Sequence, residues 1–92
     1  MKRAKPQVKI GAHESVYAIG VVSKLLKMPE WTLRSMEKEG LVRPKRLNRK
    51  IRVYSLNDMH KIKYIHYLME EKGVNMSGVK YILKVEHKSI SF

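Results

Sequence analysis

Ninety-two residues can close one small hydrophobic core, and the chain carries 20 Lys and Arg against 8 Asp and Glu, a formal charge of +12. It has no cysteine, which excludes a disulfide framework and thiolate metal ligation. No apolar run approaches the length of a membrane span, and the N-terminus lacks the apolar core of a signal peptide. The charge is uneven: +3 in residues 1–16, +1 in 17–40, +6 in 41–54 and +2 in 57–92. Such asymmetry implies a polyanionic partner, because a dispersed excess would serve solubility alone. A membrane surface would require an amphipathic helix that joins a basic face to large apolar residues, and none is present.

Residues 1–16 (MKRAKPQVKIGAHESV) are polar, basic and aperiodic, and read as a flexible arm. Ile19, Val22, Leu25 and Leu26 then follow helical spacing up to Lys27. Pro29 disfavours helical geometry at Met28 and suits the first turn of a second helix, from about Pro29 to Glu39, with Leu33 and Met36 inward. Gly40 stands where a helix end favours a left-handed residue. Two short strands are expected next. The first begins at Leu41 and Val42, the second carries Ile51, Val53 and Tyr54, and Asn48 is the best turn residue between them. Ser55 or Asn57 can cap a third helix, Asp58 to Lys72, with Met59, Ile62, Ile65, Leu68 and Met69 as its buried stripe and Gly73 at its end. Asn75 can cap a fourth helix from Met76 to about Val85, followed by a short tail, 86–92. The expected class is mostly α: about four helices and a two-stranded β wing in one domain, residues 17–85.

The segment Leu41–Tyr54, LVRPKRLNRKIRVY, holds Arg43, Lys45, Arg46, Arg49, Lys50 and Arg52 without a carboxylate. A basic ribbon beside a helix pair is how small proteins grip duplex DNA, with phosphate contacts on one side and base edges on the other.

The order helix, tight turn, helix, basic hairpin, helix, helix is that of a winged helix–turn–helix, and its residues resemble the MerR family of bacterial transcription regulators. Tyr17-Ala18-Ile19-Gly20 is similar to the family's opening. Thr32-Leu33-Arg34 with Glu37 and Glu39-Gly40-Leu41 matches its second-helix signature. Arg52-Val53-Tyr54-Ser55 with Asp58 matches the exit of the wing. The run Gly73-Val74-Asn75-Met76-Ser77-Gly78-Val79-Lys80 resembles the heat-shock repressor and glutamine-synthetase repressor branches. The resemblance covers roughly Tyr17 to Leu83. Ser35 and Met36 stand where the family usually has aromatics, and Asn48, Arg49 and Lys50 stand where its wing turn commonly has a glycine. No counterpart of the family's long dimerising helix follows about residue 85.

The resemblance implies a sequence-specific regulator of double-stranded DNA, a repressor, that is cytoplasmic, nucleoid-associated and a homodimer on an inverted repeat. The second helix would enter the major groove with Trp31, Thr32, Arg34, Ser35 and Lys38. Arg34 can span two acceptors on guanine or clamp a phosphate; its alternative is an ion pair with Glu30 on a solvated face. Trp31 can lie on the DNA backbone or in the core. Arg43, Lys45, Arg46, Arg49, Lys50 and Arg52 would line phosphates or reach into the adjacent minor groove, about half of them at once because strands alternate their faces. Tyr54 and Tyr17 can donate to phosphates or anchor the core edge of the wing, and Lys80 can touch phosphate or stand exposed.

No enzyme is expected. His13, His60, His66 and His87 are too far apart for a ligand spacing, and there is no glycine-rich phosphate loop. Neither a cofactor nor a metal is implied. The rival readings are an excisionase-like or nucleoid-architectural DNA-binding protein, an RNA-binding module and a protein-interaction adaptor. The second lacks paired aromatics on a sheet, and the third leaves the basic wing unexplained.

Overall fold

The computed structural model describes residues 8–89, with side chains through Glu86. Its elements are β1 (Tyr17–Ala18), α1 (Ile19–Leu26), α2 (Glu30–Lys38), β2 (Lys45–Leu47), β3 (Ile51–Tyr54), α3 (Leu56–Glu70) and α4 (Met76–Ser89). The mostly α class holds, and the sheet has three antiparallel strands in the order β1-β3-β2 rather than the expected two. The extra strand pairs Tyr17 with Tyr54 and Ala18 with Val53. Two residues are too few to show alternation, and this pair runs straight into a helix, so periodicity had nothing to register.

Helix α1 ends at Lys27, which takes a left-handed φ of 52° and donates its N–H to the Lys24 carbonyl. Ser23 secures the turn from both sides: its carbonyl accepts from Met28 N–H at 3.0 Å, and its hydroxyl donates to the Met28 carbonyl at 2.5 Å. Pro29 sits just outside α2 as its N-cap, with extended backbone. The chain leaves α2 through Gly40 at φ 75°, a left-handed geometry that costs glycine little.

Leu41 and Val42 do not begin the first wing strand. Both are buried side by side, at 3% and 2% exposure, which a strand with alternating faces does not permit. Pro44, which has no N–H to donate, then precedes β2. Helix α3 starts two residues earlier than expected. Ser55 and Asp58 form a capping box: Ser55 Oγ accepts from Asp58 N–H at 3.0 Å, and Asp58 Oδ2 accepts from Ser55 N–H at 2.9 Å. After Gly73 (φ 66°), Asn75 Oδ1 caps α4 by accepting from Gly78 N–H at 2.8 Å. A Cβ on Gly78 would lie 2.7 Å from Val74 Cγ1, so any larger residue here would have to displace the Val74 side chain. Helix α4 continues to Ser89, beyond the expected end near Val85.

One core joins every layer. Val22 of α1, Leu33 and Met36 of α2, Tyr54 of β3, Ile62 and Ile65 of α3, and Val79 of α4 are all buried together, the aliphatic and methionine side chains each worth about 1.5–3 kcal/mol if fully transferred from water. The helix pair and the wing therefore share a single foundation.

Within the expected arm, Lys2, Arg3 and Lys5 lie outside the described residues, as do residues 90–92 of the expected tail. The described part of the arm contacts the domain at three points. Ala12 O accepts from Asn57 N–H at 3.0 Å, His13 Nδ1 lies 2.8 Å from Asn57 Nδ2, and Val16 N–H donates to Tyr54 O at 3.1 Å.

Candidate nucleic-acid interface

Helix α2 divides by its own periodicity. Leu33 and Met36 point into the core, Trp31, Arg34 and Lys38 are exposed, and Thr32 and Ser35 are half-buried between them. Trp31 is 68% exposed, which settles its place: it is a surface residue. Its flank borders an open cleft of about 340 Å³ that Met28, Met36, Met69 and Met76 also line. Arg34 pairs with Glu30 one turn away at 3.1 Å, with both side chains substantially exposed. An i,i+4 pair in this setting is worth only about 0.3–0.5 kcal/mol, so the guanidinium is readily surrendered to a stronger acceptor.

The wing turn places two consecutive non-glycine residues in left-handed geometry, Asn48 at φ 50° and Arg49 at φ 62°. Lys50 N–H closes it on the Leu47 carbonyl at 3.0 Å. Two left-handed central residues mark the type I′ geometry that suits the twist of a hairpin, in which the second position favours glycine. Here that position carries a cation instead.

Registry opposes Lys45 to Val53, Arg46 to Arg52 and Leu47 to Ile51. Two arginines face to face across a ladder would repel, and a carboxylate from outside the wing resolves the conflict. Glu37 of α2 accepts from Arg52 Nε at 2.5 Å and from Arg46 Nη2 at 3.1 and 3.2 Å. Burial on its own would raise the Glu37 pKa; the hydrogen bonds from Arg52 and then Arg46 outweigh it and hold the carboxyl below its ordinary value. Residues 41–54 hold no carboxylate of their own, but the fold brings a counter-charge to the wing from α2.

The six wing cations accordingly fall into two sets. Arg46 and Arg52 are tied to Glu37, whereas Arg43, Lys45, Arg49 and Lys50 are exposed and, among the described residues, make no ion pair. Tyr54 does not offer its hydroxyl to solvent. The residue is 1% exposed, and its buried Oη has no hydrogen-bond partner among the described residues. Burial first, then the nearby Glu37 charge, raises its pKa. Tyr17 is half-buried beside it in the sheet. Lys80 reaches Glu39 at 3.5 Å and so links α4 to the end of α2.

Glu37 is the functional residue whose role the sequence conceals. It stands within the second-helix signature, yet its two partners lie 9 and 15 residues away on different strands. Only the pairing register reveals that both arginines share the face turned toward α2.

Among the described residues, no group of three His, Cys, Asp or Glu is placed to hold a metal ion, and no helix is long and apolar enough to cross a membrane. A tight helix pair with an open cationic face, and a basic hairpin fastened to its second helix, define a winged helix–turn–helix. The family described as MerR HTH family regulatory protein matches residues 17–86, and the chain belongs to it. The chain is 33% identical over 73 residues to the heat shock protein HspR of Streptomyces coelicolor, covering 79% of this chain and 48% of that one. It is 34% identical over 68 residues to the HTH-type transcriptional regulator GlnR of Bacillus anthracis and to that of Bacillus cereus, covering 74% of this chain and 52% of theirs. It therefore spans about half the length of these relatives.

Proposed function

We propose that this chain is a sequence-specific, double-stranded-DNA-binding transcription regulator, acting as a repressor of the stress or nitrogen-response kind that the sequence resemblance implies. Helix α2 reads the major groove through Arg34, with Trp31, Thr32, Ser35 and Lys38 around it, and the wing clamps the adjacent backbone. The observation that carries this reading is the Glu37 bridge. By holding Arg46 and Arg52 against α2 at 2.5–3.2 Å, it fixes the reading helix and the wing as one unit. Arg34 and the unpaired wing cations then approach a duplex in a set relation, so phosphate contacts impose the register in which base edges are read. The natural partner state is a homodimer on an inverted repeat, each protomer covering one half-site.

Selection of bound sequences from a random duplex pool, at near-physiological salt and with Arg34→Ala in parallel, tests this reading. The expected result is an inverted repeat with one half-site position that loses its preference in the variant, at a cost of about 1–3 kcal/mol on the best site. Equal retention of unselected DNA by both proteins would overturn it and leave a non-specific binder.

A further inference from the structure

The wing is not basic throughout. Leu47 and Ile51 face each other across the last rung before the turn, and they are 53% and 47% exposed. They lie on the face opposite the Arg46–Arg52 pair, so the Glu37 bridge turns them away from the domain. An exposed strand face next to a turn ordinarily carries polar residues. This one carries two large aliphatics, with Lys45, Arg49 and Lys50 around them and no carboxylate from residue 41 to 54.

That surrounding charge identifies what covers the pair. A second copy of the chain would bring the same cations against one another, whereas an apolar protein partner would leave them without counter-charge. Duplex DNA supplies phosphates along both edges of a narrow groove and an apolar stack of bases at its floor. Leu and Ile are among the side chains that architectural proteins insert between base steps from the minor groove, where they partly unstack a step and kink the duplex.

Building on the DNA-binding function proposed above, we infer that Leu47 and Ile51 form an apolar wedge that the wing sets into the minor groove beside each half-site. Lys45, Arg49 and Lys50 hold the two flanking backbones while the wedge bends the duplex away from it. The wedge also reads sequence indirectly. Pyrimidine–purine steps unstack most easily, so the wing selects such a step at a position where it makes no hydrogen bond to a base.

The test uses the selected operator labelled at both ends, with bending read from energy transfer between the ends and confirmed by circular-permutation mobility. Leu47→Thr/Ile51→Thr keeps strand propensity and removes the aliphatic pair; Leu47→Phe enlarges the wedge. Wild type is expected to bend the operator and to enrich a flexible step outside the α2 contacts. The double threonine variant should bind within about tenfold of wild type, since charge supplies most of the affinity, and should lose both the bend and the step preference. Leu47→Phe should deepen the bend. An unchanged bend and step preference in the threonine variant, or no response to phenylalanine, overturns the wedge. So does a threonine variant whose only change is a shifted monomer–dimer balance without DNA. If the threonine variant is folded by circular dichroism but does not bind, the phenylalanine arm decides. A wild type that binds the operator without bending it refutes the wedge alone; one that binds no duplex refutes the DNA reading as well.

Discussion

Arg49 shows how one residue can trade local comfort for charge. Its φ of 62° places an ordinary side chain in a region that costs about 1–2 kcal/mol, at the turn position where glycine is preferred. Arg49→Gly is therefore expected to raise the thermal midpoint while making the salt dependence of DNA binding shallower by about 0.9 in log–log slope, the share of one neutralised phosphate. Calorimetry and salt titration of the same protein check both halves. Tyr54 presents the converse case, a buried hydroxyl without a partner among the described residues. Tyr54→Phe removes an unsatisfied polar group from the core and should leave stability unchanged or raise it by up to about 1 kcal/mol. DNA affinity should not change, because a side chain 1% exposed does not reach phosphate in this conformation. A tenfold loss of affinity would show that Tyr54 swings out on binding.

At the scale of elements, the decisive contact is between α2 and the wing. Removing the Glu37 charge leaves Arg46 opposite Arg52 with nothing between them. Glu37→Gln should thus loosen the wing, lower specificity more than total affinity and leave the helix content intact; selection from a duplex pool together with circular dichroism separates these effects. The bridge also has a pH signature. The ordinary glutamate value is 4.5 and the folded value is lower. The bridge's contribution is therefore complete above about 4.5 and is lost as pH falls through the folded pKa, when the carboxyl takes up a proton. Denaturant unfolding from neutral pH into the acid range should show this loss in wild type, and a flatter profile in Glu37→Gln.

For the molecule as a whole, electrostatics sets the scale of binding. Arg43, Lys45, Arg49 and Lys50 of the wing, with Arg34 of α2, are the cations most available to phosphate. Binding affinity should then fall with salt with a slope of about −4 to −5 per protomer. A slope near −1 in a salt titration would mean that the wing does not lie along the backbone.

The sequence alone determined a good deal about this protein. Helical spacing placed the buried faces of α2 and α3 and Val22 of α1, although Leu25, expected on the same face of α1, is 60% exposed; Gly40 and Gly73 marked the left-handed exits of α2 and α3, and the motifs from Tyr17 onward identified the family. These features are local: each is written in residues within a few turns of one another, where periodicity and φ preference act directly. Tertiary structure decided the rest. It made Leu41 and Val42 core rather than strand, added β1 to the sheet, brought Trp31 to the surface and buried Tyr54. It also divided six equivalent-looking cations into two bridged by Glu37 and four left open. Those outcomes depend on which face of one element meets which face of another. Strand register and helix docking fix that choice, and both arise from contacts between residues far apart in the chain.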